Sequence, residues 1–411
     1  MTAENLEQPS SGMLDNLTVL DFTRVLSGPY CTRLMADLGA EIIKVERPGG
    51  GDEMRRSPAV IPGNGDQSTY FVRRNAGKKS VAIDLSCEAG RAVARELVQH
   101  ADVLVENFMP GVAEKLGIGF HALRAIKPDL VYCSISGYGQ TGPMSRRGAF
   151  AHVVAAASGI MHLDADAQGP RSSHSQAADA LAGAHGFGAI MAALWRRQRT
   201  GQGAFIDVSM LESLMASEDL SFGTVPNGFD AMPCGPRVGM GLSQIHGRWV
   251  AWQSAGAPDL WARLCTAMER PDLLHDERFA TPDTRREHWP QAHDVVSAWL
   301  ATFEDVAAAL DALTRARVPC ALARTIEEVT ACEQLAHRGA FHPVLHRDVG
   351  EMRVTSSPYW IDESPVTPVR GAPYEVGEHT VDVLTDRLRY TEQQLAQLGE
   401  VGAIETPGSS S

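Results

Sequence analysis

Between residues 17 and 136, short apolar runs alternate with stretches of helical pattern, and few folds accommodate that order. Strands are expected at 17–22 (LTVLDF), 41–46 (EIIKVE), 78–85 (KKSVAIDL), 101–106 (ADVLVE) and 130–136 (LVYCSIS). A helix is expected at 30–38, led in by Ser27, Gly28 and Pro29 and stopped by Gly39. Another is expected at 88–99, and a short one from Pro110 and Gly111 through Leu116. Residues 52–77 read as a long polar excursion. Such alternation builds a largely parallel sheet with helices on both faces, so the fold class is α/β. Ligands of such sheets bind outside the carboxyl ends of the strands. Arg47, Asn107 and Gly137 all lie just past an expected strand end.

Residues 171–210 form the most patterned stretch. Leu181, Ala184, Phe187, Ile190, Met191, Leu194 and Trp195 mark one face of an amphipathic helix. Arg196, Arg197 and Arg199 suit its C-terminus, Gly201 and Gly203 stop it, and 204–210 alternates like a strand. Near its start stands Asp179, flanked by Ala178, Ala180 and Gly183. Two readings are open. An aspartate there can cap a helix by accepting an orphan N–H. It can also be a nucleophile, kept ionised by the helix dipole with amides nearby to hold an oxyanion. Gly183, Gly186 and Gly188 weaken a helix, which makes sense only where something packs closely.

The 411 residues suffice for two or three domains, and 44% apolar with 21% charged residues is ordinary for a globular chain. A net charge of −13 argues against nucleic acid as a partner and requires acidic substrates to meet local Arg or Lys clusters. Cys31, Cys87, Cys133, Cys234, Cys265, Cys320 and Cys332 show no CxxC and no metal spacing, so reduced thiols and a cytoplasmic location are expected, with no metal site. The first residues, MTAENLEQPSSG, lack the pattern of a signal peptide, and no apolar run is long enough to expect a membrane span. Residues 137–142 (GYGQTG) match G-x-G-x-x-G, but a polar loop rather than a helix follows, so dinucleotide binding is discounted.

Beyond Ser213 the texture changes. Residues 222–241 are rich in Gly and Pro, and 248–252, 259–268, 293–303 and 305–316 read as a strand and three helices. The expected organisation is a flexible tail at 1–12, a large domain at 13–227, a small domain at 228–325, a return to the large domain at 326–400, and a second tail at 401–411. The return carries a helix at 327–335, short strands at 341–345 and 352–355, and a helix at 391–398.

Taken in order, VLDFTRVLSGPYCTRLMADLGAEIIKVERPGGGD, NAGKKSVAIDL, ADVLVENFMPGVAEKLG, SGYGQTGP, ASGIM, ALWRRQRTGQGAFIDVSMLES and VPCALARTIEEV resemble the family III CoA-transferases over nearly the whole chain. The resemblance implies a Rossmann-like large domain made from both chain ends, a smaller inserted α/β domain, and an interlocked homodimer. It places the family's catalytic aspartate on Asp179, in QAADALAG, attacking an acyl-CoA thioester to give an acyl–aspartyl anhydride and then an aspartyl–CoA thioester. No permanently bound cofactor is implied; coenzyme A and acyl-CoA are substrates. The CoA contacts implied are Leu26 and Ser27, Arg47, Ile83 and Asp84, Asn107, Phe108 and Met109, Lys115, and Arg147 with Phe150. On its own Arg47 reads equally well as a solvated surface residue. A lysine of some members is Ser86 here, and another is Gly148. The glutamine of oxalate-handling members is Leu26 here, and their Gly-rich flap is absent, with 235–241 (GPRVGMG) the nearest candidate. Both departures argue against an oxalate or formate specialist.

Related 2-methylacyl-CoA racemases pair the aspartate with a His-Asp segment, because proton removal and return need two acid–base groups. Those positions are Phe150 and Ala151, so the racemase reading lacks its second base. His152 resembles a histidine of members acting on C4–C5 dicarboxylates, with succinyl-CoA or a similar donor, and reads equally as a hydrogen-bonded core histidine. His174 is a further candidate acceptor contact. A non-catalytic acyl-CoA-binding subunit is a third reading, and the retained Asp179 speaks against it.

Overall fold

The structure is a computed structural model and describes residues 12–57, 59–62, 67–231, 233–235 and 237–407. All but the last residue of the expected 1–12 tail lies outside them. The chain divides into two compact units. The first holds 1–161, 171–231 and 334–411; the second holds 162–170 and 232–333. The second unit therefore takes in a short segment from before the long helix, and its main segment runs past the expected end at 325, through one more short helix.

The first unit is built on a seven-stranded sheet. Six of its strands are β1 (Thr18–Asp21), β2 (Glu41–Glu46), β3 (Lys79–Ile83), β4 (Val103–Glu106), β5 (Val131–Ser136) and β6 (Ala204–Ser209). All pair in parallel in the order β3-β2-β1-β4-β5-β6. The order reverses between β1 and β4, and an open α/β sheet has its ligand crevice at that switch point. Between and after the strands run α1 (Ser27–Asp37), α2 (Thr69–Asn75), α3 (Glu88–Gln99), α4 (Val112–Lys115), α5 (Phe120–Ile126), α6 (Ala151–Ala157), α7 (Ile160–Leu163) and α8 (Ala177–Thr200). α2 lies inside what reads as a polar excursion. Ser68 caps it by accepting from the Phe71 N–H at 3.0 Å, and Phe71 and Val72 are buried.

Both faces of the sheet are covered, which is why β1 reads as unbroken burial rather than alternation. Val19, Ile42, Val103, Val131 and Ile135 pack toward α1 and α8 through Cys31, Met35, Ile190 and Leu194. Leu20, Ile43, Val81, Leu104 and Tyr132 pack the other way, onto Val93 and Leu97 of α3, Leu123 of α5, and Leu384 and Leu395 of two late helices, Thr380–Leu388 and Glu392–Glu400. α8 is long and apolar enough by composition to cross a membrane, but here it buries Ala182, Gly186 and Ile190 in the first unit's core. Its end matches expectation: Arg197 binds Asp102 at 2.8 Å, and Gly201 adopts φ +67°. Trp195 does not join the buried stripe; it is 64% exposed.

The second unit contains β7 (Met240–Ile245), β8 (Arg248–Gln253) and β9 (Cys320–Leu322) in one antiparallel sheet, over a core of Trp252, Trp261, Leu264, Phe279 and Leu313. The helix expected at 327–335 is two, Ile326–Thr330 and Glu333–His337. The return adds two hairpins, β10 (Phe341–His346) with β11 (Gly350–Thr355) and β12 (Trp360–Ile361) with β13 (Ser364–Pro365). The expected 401–411 tail is corrected by β14 (Ile404–Glu405), which pairs antiparallel with β3. Ala403 and Ile404 are buried against the sheet, which a two-residue strand in a polar stretch gives no periodicity to reveal.

Candidate active site

The loop from β1 to α1 crosses the switch point and is tightly held. Val25 in it has φ +67°, a strained state for a β-branched residue that persists only when its surroundings dictate it. Two neighbours, Asp52 and Asn107, do so. The Val25 N–H donates to Asp52 Oδ1 at 3.3 Å, and the Arg24 N–H donates to Asn107 Oδ1 at 2.9 Å. Asn107 Nδ2 donates to the Arg24 carbonyl at 2.8 Å and to Ser27 Oγ at 3.2 Å. Asp52 is itself fixed by a buried ion pair with Lys44 at 3.0 Å. Beneath the loop, Lys78 binds Asp21 at 2.8 Å with both side chains fully buried. Against the cost of burial, Lys78 and Lys44 hold Asp21 down at about 2.

α8 meets this loop end-on. A Cβ on Gly183 would stand 2.5 Å from the Ser27 carbonyl oxygen, and one on Gly186 would press on Ile135 and Cys31. Gly188 faces open space, so only two of the three glycines answer to close packing. The helix begins at Ala177 with Gln176 at the cap position, and no side chain caps it. Asp179 is thus the third helical residue, and the capping reading falls. Burial pushes its carboxyl up to about 6, while the Ser27 amide and hydroxyl, the Ala151 amide and the charge of Arg74 favour the ionised form. Water is largely replaced around this carboxylate by donors from α1 and α6.

The other expected positions spread along the same edge. Leu26 and Ser27 are buried at the start of α1. Arg47 is exposed after β2. Ile83 is buried at the end of β3, and Asp84 gives its N–H to the Ala403 carbonyl at 2.9 Å. Phe108 is half-buried and its N–H donates to Glu106 at 2.8 Å; burial pushes Glu106 up to about 7. Met109, Lys115, Arg147 and Phe150 are exposed. His152 and His174 are exposed too, and His152 Nδ1 lies 3.0 Å from Ser172 Oγ. Ser27 and Asn107 are thus brought together beside Asp179, whereas the Arg47, Lys115, Arg147 and His174 side chains form no contact with it among the described residues. In the 137–142 loop, the Gln140 N–H donates to the Asp207 carboxylate at 3.0 Å, and no helix starts there.

Three residues that sequence reading passed over stand near Asp179: Tyr30, Tyr70 and Arg74. The charges of Arg74 and Asp179 both act on Tyr70, whose hydroxyl burial pushes up. Arg74 stacks over the Tyr30 ring at 5.0 Å. The requirement that acidic ligands meet a local Arg cluster was the available signal, and Arg73-Arg74 is such a cluster.

Comparison with known proteins places these features in a family. The profile of CoA-transferase family III matches residues 14–380. Succinyl-CoA:glutarate CoA-transferase of Mus musculus is 33% identical over 414 residues, covering 95% of this chain and 90% of that protein. Acetyl-CoA:oxalate CoA-transferase of Acetobacter aceti is 35% identical over 346 residues, covering 80% of this chain and 85% of that protein. The crystal structure of a CaiB/BaiF family protein from Brucella suis superposes with a TM-score of 0.79 at 27% identity, covering 92% of this chain and all of that one. The chain therefore belongs to CoA-transferase family III.

Proposed function

We propose that this enzyme moves CoA from an acyl-CoA to a small carboxylic acid, with Asp179 as the nucleophile. The observation that carries the reading is an aspartate in the first turn of the uncapped helix α8, half-buried and faced by Ser27 and Ala151 donors. An Asp179 oxygen attacks the thioester carbonyl, the C–S bond breaks, and CoA leaves as thiolate. The thiolate attacks the aspartyl carbonyl of the resulting anhydride, releasing the donor acid as a carboxylate. The acceptor carboxylate then attacks the aspartyl–CoA thioester, and the freed thiolate takes the acceptor's acyl group and restores Asp179. Each step passes through an oxyanion, for which the Ser27 and Ala151 amides are the nearest donors.

In this reading the CoA moiety runs along the carboxyl edge of the sheet, past Leu26, Arg47, Ile83, Asp84, Asn107, Phe108, Met109, Lys115, Arg147 and Phe150, and the working unit is a homodimer. His152 and His174 lie on the acceptor side. The acceptor is a C4–C5 dicarboxylate and the donor succinyl-CoA or similar, in keeping with the glutarate enzyme among the relatives. The test is CoA exchange between succinyl-CoA and a panel of acids, followed by mass spectrometry, with hydroxylamine trapping of the aspartyl anhydride or thioester. Asp179→Ala abolishes exchange and trapping while CoA still binds; exchange that persists would place the nucleophile elsewhere.

A further inference from the structure

A cavity of about 320 Å³ opens beside the nucleophile's helix, lined by Tyr30, Arg33, Arg73, Arg74 and Ala180, the residue after Asp179, and closed by 355–358. Its charge is unbalanced. Arg33 is spent: Nε binds Asp37 at 2.6 Å, Nη1 donates to the Arg73 carbonyl at 2.6 Å and Nη2 to the Thr355 carbonyl at 3.2 Å. Asp37 is spent as well, since Ser357 Oγ donates to it at 2.7 Å. Arg73 Nε donates to the neutral Thr355 Oγ1 at 3.0 Å. Arg74 forms no ion pair and no hydrogen bond among the described residues; it lies on the face of Tyr30, and the carboxylate its charge favours is that of Asp179. Three guanidiniums thus share the cavity with one carboxylate.

A half-buried guanidinium that is not ion-paired is costly, and the cost is relieved when a carboxylate arrives to bind it directly. We propose that Arg74, seated on Tyr30, anchors the second carboxylate of a dicarboxylic acyl group whose first carboxyl is at Asp179. This rests on Asp179 being the nucleophile. Only the thiol end and the acyl group of an acyl-CoA reach that residue, so a cation buried beside it meets the acyl tail rather than the phosphates. The planar fork of arginine fits a carboxylate with two parallel hydrogen bonds. Donor and acceptor acyl groups occupy the aspartyl anhydride in turn, so one anchor serves both, and four- and five-carbon diacids exchange with one another.

The experiment compares glutarate with its monoamide, which differs only at the distal end, in wild type, Arg74→Gln and Arg74→Lys. In wild type glutarate is preferred in kcat/KM by about 100-fold. In Arg74→Gln that preference falls below about 5-fold, because glutarate loses and the amide does not. Arg74→Lys recovers part of it, which a merely structural role would not produce. An Arg74→Gln enzyme that still prefers glutarate overturns the anchor. Calorimetric binding of free glutarate gives a readout that needs no turnover: a loss of about 100-fold in Arg74→Gln supports the anchor, and unchanged binding overturns it. Failure of the Asp179 reading shows differently, as CoA exchange that persists in Asp179→Ala.

Discussion

The Asn107 amide nitrogen stands 3.2 Å from Ser27 Oγ, so the end of β4 is tied to the group that faces the Asp179 carboxylate. The rest of that amide clamps Arg24, leaving Asn107 to act chiefly on the loop across the switch point.

Removing that tie is expected to show in turnover. Asn107→Ala frees the loop while leaving every cation along the sheet edge in place. We expect kcat to fall by about 10- to 100-fold with the KM for acyl-CoA changed by less than about 3-fold, because small misplacements of catalytic donors are expensive. Steady-state kinetics checks this; a raised KM at constant kcat would instead make Asn107 a direct CoA contact.

A second expectation concerns pH. In the proposed mechanism Asp179 attacks as the carboxylate, and burial pushes its carboxyl up to about 6. Activity at limiting acyl-CoA is expected to be level above that value and to fall about tenfold per pH unit below it. The same shift has a stability consequence of opposite sense. A raised carboxyl pKa means that the folded state holds the proton more tightly, so stability declines as pH rises from about 4 to about 6. Asp179→Asn is therefore expected to be more stable than wild type at pH 7.5, by at most about 3 kcal/mol, with the gain gone below pH 4. Urea melts at the two pH values decide it.

Two glycines of one helix are expected to respond in opposite directions. Gly183→Ala drives a methyl into the Ser27 carbonyl and should cost about 2 kcal/mol together with most of the activity. Gly188→Ala meets nothing within 4 Å and should add about 0.5–1 kcal/mol at unchanged activity. Thermal melts and exchange assays on the pair separate packing from helix propensity.

Ending the chain after Gly402 removes Ala403, Ile404 and the carbonyl that receives the Asp84 N–H. We expect a loss of about 2–4 kcal/mol, from buried apolar surface and an opened sheet edge, read as a lowered melting temperature.

The parallel sheet was legible because β1 to β5 are buried on both faces and each carries a short apolar run, with turn residues between them. Asp179 was legible as a residue, but pattern alone left it open between a cap and a nucleophile, which occupy the same turn; the placement of Gln176 at the cap position removes the first of these. Arg74 was not legible, because α2 is seven residues long and too short to show a period. Nor was the Asn107–Ser27 tie, which joins residues eighty positions apart. The buried pairs Asp21–Lys78 and Lys44–Asp52 were missed for the same reason: a charged residue in a strand reads as exposed until its partner is placed.

The antiparallel pairing of β14 with β3 sets an order on assembly. β3 lies near the first fifth of the chain, and its outer neighbour emerges from the ribosome roughly three hundred residues later. During that interval the strand presents bare amides and carbonyls to any passing chain. That edge stays open to mispairing until residues 404–405 are made, and slow translation of the stretch before them would prolong the hazard.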